Sequence, residues 1–294
     1  MLFTEVADVP KGPKVVAVGS FDGVHLGHQH LLHLAKQEAK ALHLPLLVYT
    51  FDPPSKVFTR GEGFLSEASE KVEALKAAGA ELILVVPFNE AFAKRSKEEF
   101  LEELKALEAH LLYVGEDFRF GQGRTGGPED LKRVAPVRTV PLLSLLGEPV
   151  KSSRIRTLLK EGRVEEARHL LGRPYSAQGV VVEGEKLGRR LGFPTLNLSL
   201  PPLKVLPPGV YAVRAHTPLG SFFGMANVGT RPTLGEGGLR LEVHLFGFSG
   251  DLYGEEVRVE FLKKLRDERR FASLEELRAQ LSKDQEEALR FFGL

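Results

Sequence analysis

Two histidines and three glycines near the start of the chain have a spacing that suits phosphate chemistry. They lie in the segment VGSFDGVHLGH at residues 18–28, directly after the apolar run KVVAV, which is typical of a buried strand. A strand, a glycine-rich turn and a helix start direct backbone N–H groups toward an anion. Imidazole N–H groups can donate to phosphate oxygens, so we predict that His25 and His28 stabilise charge during a transfer reaction. Two surface histidines beside an ordinary turn are the alternative, which the H-x-G-H spacing disfavours.

A second stretch with the character of a phosphate site, LGFPTLN at residues 191–197, lies past the middle of the chain. Glycine, proline and small polar residues in this arrangement are typical of a tight turn. The two stretches are too far apart in sequence to belong to one small domain. We therefore expect two nucleotide-handling centres.

Composition restricts the class of protein. The chain has 294 residues, enough for one large or two ordinary domains, and its net charge of +1 predicts no strong attraction to nucleic acid or membranes. It contains no cysteine, which excludes disulfides, thiolate zinc sites and cysteine nucleophiles. No apolar run approaches the about 18 residues of a membrane span, and the N-terminal segment has no secretory core. We expect a soluble, cytoplasmic protein.

The first half of the chain alternates between strand-like and helical patterns. Strands are predicted at 14–18, 46–51, 82–88, 111–115 and 137–143, and helices at 28–43, 66–78, 96–107 and 129–135. Strands separated by helices of this length predict a parallel, Rossmann-like α/β sheet with helices on both faces. The binding loops should then gather at the carboxyl ends of the strands.

The pattern changes near Gly172. Short strands with turns between them are predicted at 179–184, 209–215, 221–228, 239–246 and 256–262, followed by a helix that opens with the capping pair Ser273 and Glu276. Such a series of strands favours an antiparallel, all-β barrel. We therefore expect two domains, residues 1–172 and 173–294.

Several motifs together resemble those of one family. GSFDGVHLGH (19–28) is similar to the nucleotidylyltransferase signature of the bacterial bifunctional riboflavin kinase/FMN adenylyltransferases, also called FAD synthetases. Further motifs of that family are matched in order by VGEDFRFG (114–121), VKSSRIR (150–156), GFPTLN (192–197), ANVGTRPT (226–233), EVHL (242–245) and GDLYG (250–254). H-x-G-H alone is shared by many nucleotidylyltransferases, but its combination with GFPTxN and ExHL is specific.

The resemblance implies a fold and an activity. The expected architecture is a Rossmann-like nucleotidylyltransferase domain followed by a six-stranded barrel with a C-terminal helix. The expected enzyme phosphorylates riboflavin with ATP to give FMN, and then adenylylates FMN with a second ATP to give FAD and pyrophosphate. It would need Mg²⁺ and bind ATP, riboflavin, FMN and FAD, with no nucleic-acid or membrane partner. The sequence predicts no particular oligomeric state.

The resemblance also implies site residues for adenylyl transfer in the first domain. The catalytic set is His25, His28 and Arg156, and the nucleotide-binding set is Gly19, Phe21, Gly23, Gly27, Asp117, Ser152 and Ser153. Both the attacking and the leaving group are phosphates, so the protein needs only to align them and to neutralise charge. Arg156 suits this task because its planar guanidinium can bind phosphate oxygens bidentately.

In the second domain the resemblance implies a general base and a metal site. Glu242 matches the catalytic glutamate of the family, and it lies on a predicted strand opposite the apolar row of the segment LEVHL. Thr195 and Asn197 match metal ligands, and their oxygens suit Mg²⁺. The remaining nucleotide-binding residues, in a loop that would lie over the phosphates, are Gly184, Lys186 and Gly188.

The sequence departs from the family motifs in one turn, and it leaves two alternative functions open. The turn FDPP at 51–54 is one residue shorter than the family motif, which predicts altered contacts to FMN. A single-activity riboflavin kinase with a weakly active N-terminal domain is the alternative enzyme. A nucleic-acid-binding protein is a third class, but the basic run at 263–270 is interrupted by Asp267 and Glu268.

Overall fold

The computed structural model describes residues 1–184, 187–230 and 239–294. Within them the chain divides into two compact units, Met1–Ser152 and Ser153–Leu294. The first unit is built on a parallel sheet and the second on an antiparallel barrel. This confirms the predicted fold class.

A six-stranded parallel sheet forms the centre of the first unit, in the order β1-β4-β3-β2-β5-β6. Its strands are Leu2–Phe3 (β1), Lys14–Val18 (β2), Leu46–Asp52 (β3), Leu82–Pro87 (β4), Ala109–Gly115 (β5) and Val137–Val140 (β6). A separate hairpin pairs Ser144–Leu145 (β7) with Glu148–Pro149 (β8). The strands predicted from apolar, β-branched runs are all present. Strands β1, β7 and β8 were not predicted, because each is only two residues long and so shows no periodic pattern.

Helices cover both faces of this sheet. They are Leu26–Ala41 (α1), Ser55–Arg60 (α2), Ala68–Ala77 (α3), Glu90–Ala93 (α4), Lys97–Ala106 (α5) and Pro128–Leu131 (α6), with 3₁₀ turns at Val6–Asp8 and Gln122–Arg124. Successive residues of β2 point to opposite faces. Val16 and Val18 therefore pack into the core that α5 covers, and Val15 and Ala17 pack into the core under α1 and α3.

The chain reverses its direction of travel across the sheet between β2 and β5. From β2 it adds β3 and then β4 on one side, and later it places β5 and β6 on the other side. In open α/β sheets, ligands bind in the crevice outside the carboxyl ends of the strands at such a switch point. The segments that leave β2 and β5 are residues 19–25 and 116–121, so the fold brings two of the sequence motifs to one edge.

A closed six-stranded antiparallel barrel, in the order β10-β13-β12-β11-β14-β9, dominates the second unit. Its strands are Tyr175–Val182 (β9), Leu196–Ser199 (β10), Gly209–Thr217 (β11), Gly220–Thr230 (β12), Leu239–Leu245 (β13) and Glu256–Arg266 (β14). Helix Ser152–Lys160 (α7) begins at the last residue of the first unit and otherwise belongs to this one, which also contains Val164–Leu171 (α8), Leu187–Leu191 (α9) and Leu274–Phe292 (α10). Alternate residues of each strand fill the barrel, as with Leu241, Val243 and Leu245 on β13.

Helix α8 packs with the barrel. It contacts β9 and β14 and buries Val164 and Ala167. The backbone N–H of Lys264 in β14 donates to Glu165 Oε1 at 3.0 Å. By its contacts, α8 therefore belongs to the barrel unit. Gly172 ends this helix with a left-handed backbone conformation, at φ 72°. The functional boundary after Gly172 stays a prediction.

The C-terminal helix α10 begins as predicted. Ser273 is its N-cap and accepts the N–H of Glu276 at 3.2 Å. The helix packs against β11, β12 and β14. Of its apolar face, Ala288 is buried, whereas Leu274 is 47% exposed. The helix is thus only partly docked on the barrel, which leaves room for a cavity beneath its first half.

Candidate functional site

The first candidate centre is the phosphate loop, residues 19–28, which connects β2 to α1. Two of its residues have left-handed backbone angles, Phe21 at φ 47° and Val24 at φ 39°. A β-branched residue in this region is a genuine outlier, and strain of this kind clusters at ligand-binding turns. This backbone conformation could not be predicted from the sequence, because valine favours extended backbone.

His25 is the N-cap of α1. Its ring Nδ1 accepts the backbone N–H of His28 at 3.3 Å, so the neutral ring carries its proton on Nε2 and can donate there. The two imidazoles stack with their centroids 3.6 Å apart. Both predicted histidines therefore lie together at the positive end of a helix of 16 residues.

The glycines of the phosphate loop make room for these rings. A Cβ at Gly27 would lie 3.2 Å from the His25 ring, and one at Gly19 would lie 3.1 Å from the Phe21 ring. The Phe21 ring is 1% exposed and packs edge-on against His28 at 5.2 Å. Phe21 was predicted to bind nucleotide, and that role stays a prediction.

Side chains that were not predicted hold the loop from below. Asp22 is 3% exposed, and its Oδ1 accepts the backbone N–H groups of Leu65 and Ser66 at 2.9 and 3.3 Å. The N–H of Gly23 in turn donates to Ser66 Oγ at 3.0 Å. Ser152, a predicted nucleotide-binding residue, donates through Oγ to the Asp22 carbonyl at 2.9 Å. Ser152 is therefore positioned against the phosphate loop.

The other predicted residues of this centre lie in two places. Asp117 is exposed just after β5, and its Oδ1 folds over Gly115, where it would lie 3.3 Å from an added Cβ. Ser153 and Arg156 are on α7 in the second unit, and Arg156 is 5% exposed. The assignment of Ser153 and Arg156 to adenylyl transfer stays a prediction.

The second candidate centre is a cavity of about 220 Å³ in the second unit, which we call the barrel cavity. Its lining comes from α9, the strands β10 to β14, the segment after β14 and the first half of α10. The lining residues are Gly188, Leu191, Phe193, Thr195, Asn197, Val210, Met225, Ala226, Asn227, Glu242, His244, Arg266, Glu268, Arg269, Phe271, Leu277 and Leu281. Apolar side chains and several convergent polar groups are the usual lining of a small-molecule site.

Glu242 lies at the centre of a polar row that crosses three strands. It is directly opposite Asn197 of β10 on one side and Asn227 of β12 on the other. Its side chain is half-buried and lines the barrel cavity, on the opposite face from Leu241 and Val243. The predicted orientation is confirmed, and the carboxylate has carboxamide groups on both sides.

Thr195 and Asn197, the predicted metal ligands, line the same cavity as Glu242. Gly184 packs directly on Asn197, because an added Cβ would lie 2.1 Å from its Nδ2. A Cβ at Gly188 would lie 2.3 Å from the Phe193 carbonyl oxygen and 3.4 Å from Thr195 Oγ1. The two glycines therefore let the backbone approach these ligands closely. Lys186 lies outside the described residues.

The wall formed by residues 266–271 was missed in the sequence. Arg266, Glu268, Arg269 and Phe271 all line the barrel cavity. In the sequence this segment was considered only as a basic run for binding nucleic acid, which Asp267 and Glu268 interrupt. Arg266 is instead fixed by Asp284 of α10, with Nε 3.0 Å from both carboxylate oxygens. Only the long-range packing of α10 shows that the run faces a cavity.

Comparison with known proteins covers both units. The family model of FAD synthetase matches residues 9–154, and the model of riboflavin kinase matches residues 171–292. The bifunctional riboflavin kinase/FMN adenylyltransferase of Bacillus subtilis (strain 168) is 39% identical, over 95% of this chain and 92% of its own. The enzyme of that name from Escherichia coli (strain K12) is 38% identical, over 98% of this chain and 96% of its own.

The chain belongs to the bifunctional riboflavin kinase/FMN adenylyltransferase family. A solved structure of similar fold, described as a macrolide-efflux protein from Streptococcus pneumoniae, has a TM-score of 0.86 and 33% identity and covers 97% of both chains. In the part of this family member that the structure describes, no helix combines the length and the apolar character needed to cross a membrane.

Proposed function

We propose that this protein phosphorylates riboflavin with ATP to give FMN, and adenylylates FMN with a second ATP to give FAD and pyrophosphate. The observation that carries the proposal is the presence of two separate centres in one chain. The first unit has paired histidines at the start of α1, and the second has a carboxylate in a polar row that lines a cavity. Each centre has the chemistry that one of the two reactions requires.

In the kinase reaction, Glu242 is the general base. The ribityl 5′-hydroxyl of riboflavin is a poor nucleophile, and its proton passes to the Glu242 carboxylate as the oxygen attacks the γ-phosphorus of ATP. One P–O bond forms to the 5′-oxygen, and the bond to the β-phosphate oxygen breaks to release ADP. Asn197 and Asn227 lie directly opposite Glu242 on the two neighbouring strands, so a carboxamide group stands on each side of the carboxylate.

The residues of the barrel cavity fit a magnesium ion. Thr195 and Asn197 offer neutral oxygen ligands beside Glu242, and oxygen atoms are the ligands that Mg²⁺ prefers. Mg²⁺ takes few protein ligands, keeps waters and binds the substrate phosphates. When bound it would neutralise charge on the transferring phosphate. Gly184 and Gly188 keep the backbone close to these ligands.

In the adenylyl transfer, the phosphate loop aligns two phosphates. An oxygen of the FMN phosphate attacks the α-phosphorus of ATP, one P–O bond forms, and the bond to the β-phosphate breaks to release pyrophosphate. His25 and His28, together with the N–H groups at the start of α1, donate to the phosphate oxygens as negative charge builds up. Ser152 and Asp117 contribute substrate contacts, and Ser153 and Arg156 are expected to add donors.

We further propose a cytoplasmic location, because both reactions consume ATP and the lack of cysteine suits a compartment that forms no disulfides. The proposal is tested with the purified chain. Riboflavin, ATP and Mg²⁺ are incubated with it, and FMN and FAD are resolved by chromatography. Formation of FMN followed by FAD supports both activities. FMN without FAD would replace the proposal with a single-activity riboflavin kinase.

A further inference from the structure

A second carboxylate faces the barrel cavity, and it belongs to the wall at residues 266–271. Glu268 lines the cavity together with Glu242. Its carboxylate lies directly on β12 at Gly229, because a Cβ added to that glycine would lie 1.8 Å from Glu268 Oε1, 2.7 Å from Cδ and 3.3 Å from Oε2. These three atoms are the nearest to the added Cβ. The missing side chain of Gly229 therefore leaves the space that the Glu268 carboxylate occupies.

The wall is fixed on both sides of Glu268. On one side, the guanidinium of Arg266 is bound by the buried carboxylate of Asp284 in α10, with Nη2 2.8 Å from Oδ2. On the other side, the guanidinium of Arg269 lies 4.7 Å from the centre of the Phe271 ring, which is a cation–π contact. The segment that carries Glu268 is thus held in place before any substrate binds.

Glu268 lies on the same face of the barrel as the general base, further along β12. Asn227 is directly opposite Glu242, and Gly229 follows Asn227 on the same face, about 7 Å along the strand. Asn197, on β10, lies on the other side of Glu242. The general base therefore stands between the proposed metal ligand on β10 and the second carboxylate over β12.

Under the proposed function, the two substrates approach Glu242 from different sides. The phosphates of ATP accompany Mg²⁺ on the β10 side. The attacking and leaving oxygens of the transferred phosphate are in line, so riboflavin comes from the β12 side, where Glu268 lies. A carboxylate repels phosphate and can only accept hydrogen bonds. The ribityl chain of riboflavin offers hydroxyl donors on the carbons that follow the reacting one.

We propose that Glu268 is a substrate-binding residue of the kinase reaction, whose carboxylate accepts hydrogen bonds from the secondary hydroxyls of the ribityl chain. The inference rests on the proposed function. These bonds direct the 5′-hydroxyl of the chain toward Glu242 and select a flavin that carries a polyol. A site built to bond a substrate hydroxyl discriminates strongly against an analogue that lacks it.

The test uses the full chain with Glu268→Ala, Glu268→Gln, Gly229→Ala and the double variant Gly229→Ala/Glu268→Ala. Gly229→Ala keeps Glu268 but makes its carboxylate retreat by about 1–2 Å, to reach ordinary contact with the new Cβ. The φ of Gly229 is not left-handed, so alanine fits the strand without strain. Asp267→Asn is the matched control, because Asp267 is the neighbouring carboxylate, is exposed and does not line the cavity.

Two flavins are compared at saturating ATP and Mg²⁺. One is riboflavin, and the other is the analogue in which an unbranched 5-hydroxypentyl chain replaces the ribityl chain. For each flavin we would measure kcat/KM of phosphorylation, and also the Kd from flavin fluorescence, which gives the same comparison without turnover. The KM of ATP and the unfolding temperature are measured as well. FAD synthesis from FMN takes place in the other unit and serves as an internal control.

With riboflavin, we expect kcat/KM to fall about 10- to 100-fold in Glu268→Ala, which is the range for loss of a hydrogen bond to a charged group. Glu268→Gln should lose less, because its amide oxygen still accepts. Gly229→Ala should also lose less, and the double variant should be no slower than Glu268→Ala, since both changes act through one carboxylate. With the hydroxypentyl analogue, every variant should stay within about threefold of wild type, as should Asp267→Asn with riboflavin and the KM of ATP throughout.

Three results would overturn the inference. One is an equal loss with the two flavins, because the ribityl hydroxyls would then have no part in it. Another is a kcat/KM for riboflavin that is unchanged in both Glu268→Ala and Gly229→Ala. The third is a rise in the KM of ATP in place of the loss with riboflavin. If the wild-type chain formed no FMN at all, the proposed function would fail, whereas a wild-type chain that forms FMN confines the failure to Glu268.

Discussion

Replacement of Glu242 by glutamine separates the two proposed activities most cleanly. Glutamine has nearly the same size and shape as glutamate, so the polar row from Asn197 to Asn227 keeps its packing and hydrogen-bonding capacity. The change removes only the basic carboxylate. A positioned general base contributes about 10²–10⁴-fold, which corresponds to about 3–5 kcal/mol of activation free energy. Riboflavin phosphorylation should therefore fall by that factor.

The other properties of the Glu242→Gln protein should stay the same. FAD synthesis from supplied FMN uses the first unit and should be unchanged. The unfolding temperature should also be unchanged, because no cavity is created and no buried apolar contact is lost. Glu256→Gln is the matched control, since Glu256 is exposed on β14 and does not line the barrel cavity.

The assay measures initial rates of FMN formation from riboflavin and of FAD formation from FMN, each by chromatography at saturating ATP and Mg²⁺. Kinase activity within about threefold of wild type would remove Glu242 from the role of base. Loss of both activities together would mean that the substitution disturbs more than the barrel cavity. Equal losses in Glu256→Gln would show a general effect of charge.

The reverse separation should follow from His28→Ala, which should lower FAD synthesis about 100-fold or more and leave riboflavin phosphorylation intact; the opposite pattern would mean that the two centres are wrongly assigned. Gly184→Ala should raise the Mg²⁺ concentration needed for half-maximal kinase activity, because the new Cβ would lie 2.1 Å from Asn197 Nδ2 and must displace it; an unchanged Mg²⁺ titration would exclude Asn197 as a ligand. A fragment of residues 153–294 should fold and phosphorylate riboflavin, whereas residues 173–294 should unfold at lower temperature, because they lack the apolar face of α8 that covers the barrel; equal unfolding temperatures would show that α8 is dispensable.

The sequence predicted the parts of the protein whose signals are local. The strand β2 is a run of apolar, β-branched residues, which predicts a buried strand. The glycines and histidines of the phosphate loop predict a phosphate-binding turn. Glu242 could be oriented because a strand alternates its faces, and the family resemblance supplied its role. The capping residue Ser273 likewise marks the start of α10 from a pattern of four residues.

The parts that were not predicted depend on contacts between distant segments. Strand β10 was missed because LNLS alternates polar and apolar residues over only four positions and directly follows a proline turn. Arg266 and Phe271 line the cavity only because α10 packs over the barrel and Asp284 fixes the guanidinium. Lys71 looks like an ordinary helix-surface lysine in the sequence, and its burial is visible only once α3 is placed on the sheet.

The most direct test of the central claim is a time course with riboflavin as the only flavin supplied, together with ATP and Mg²⁺. The account predicts that FMN appears first and that FAD follows with release of pyrophosphate, while the Glu242→Gln protein makes both from riboflavin about 10²–10⁴ times more slowly but makes FAD from FMN at the normal rate. A wild-type protein that forms FMN without FAD, or that forms FAD from FMN but never phosphorylates riboflavin, would contradict the claim that one chain holds both activities.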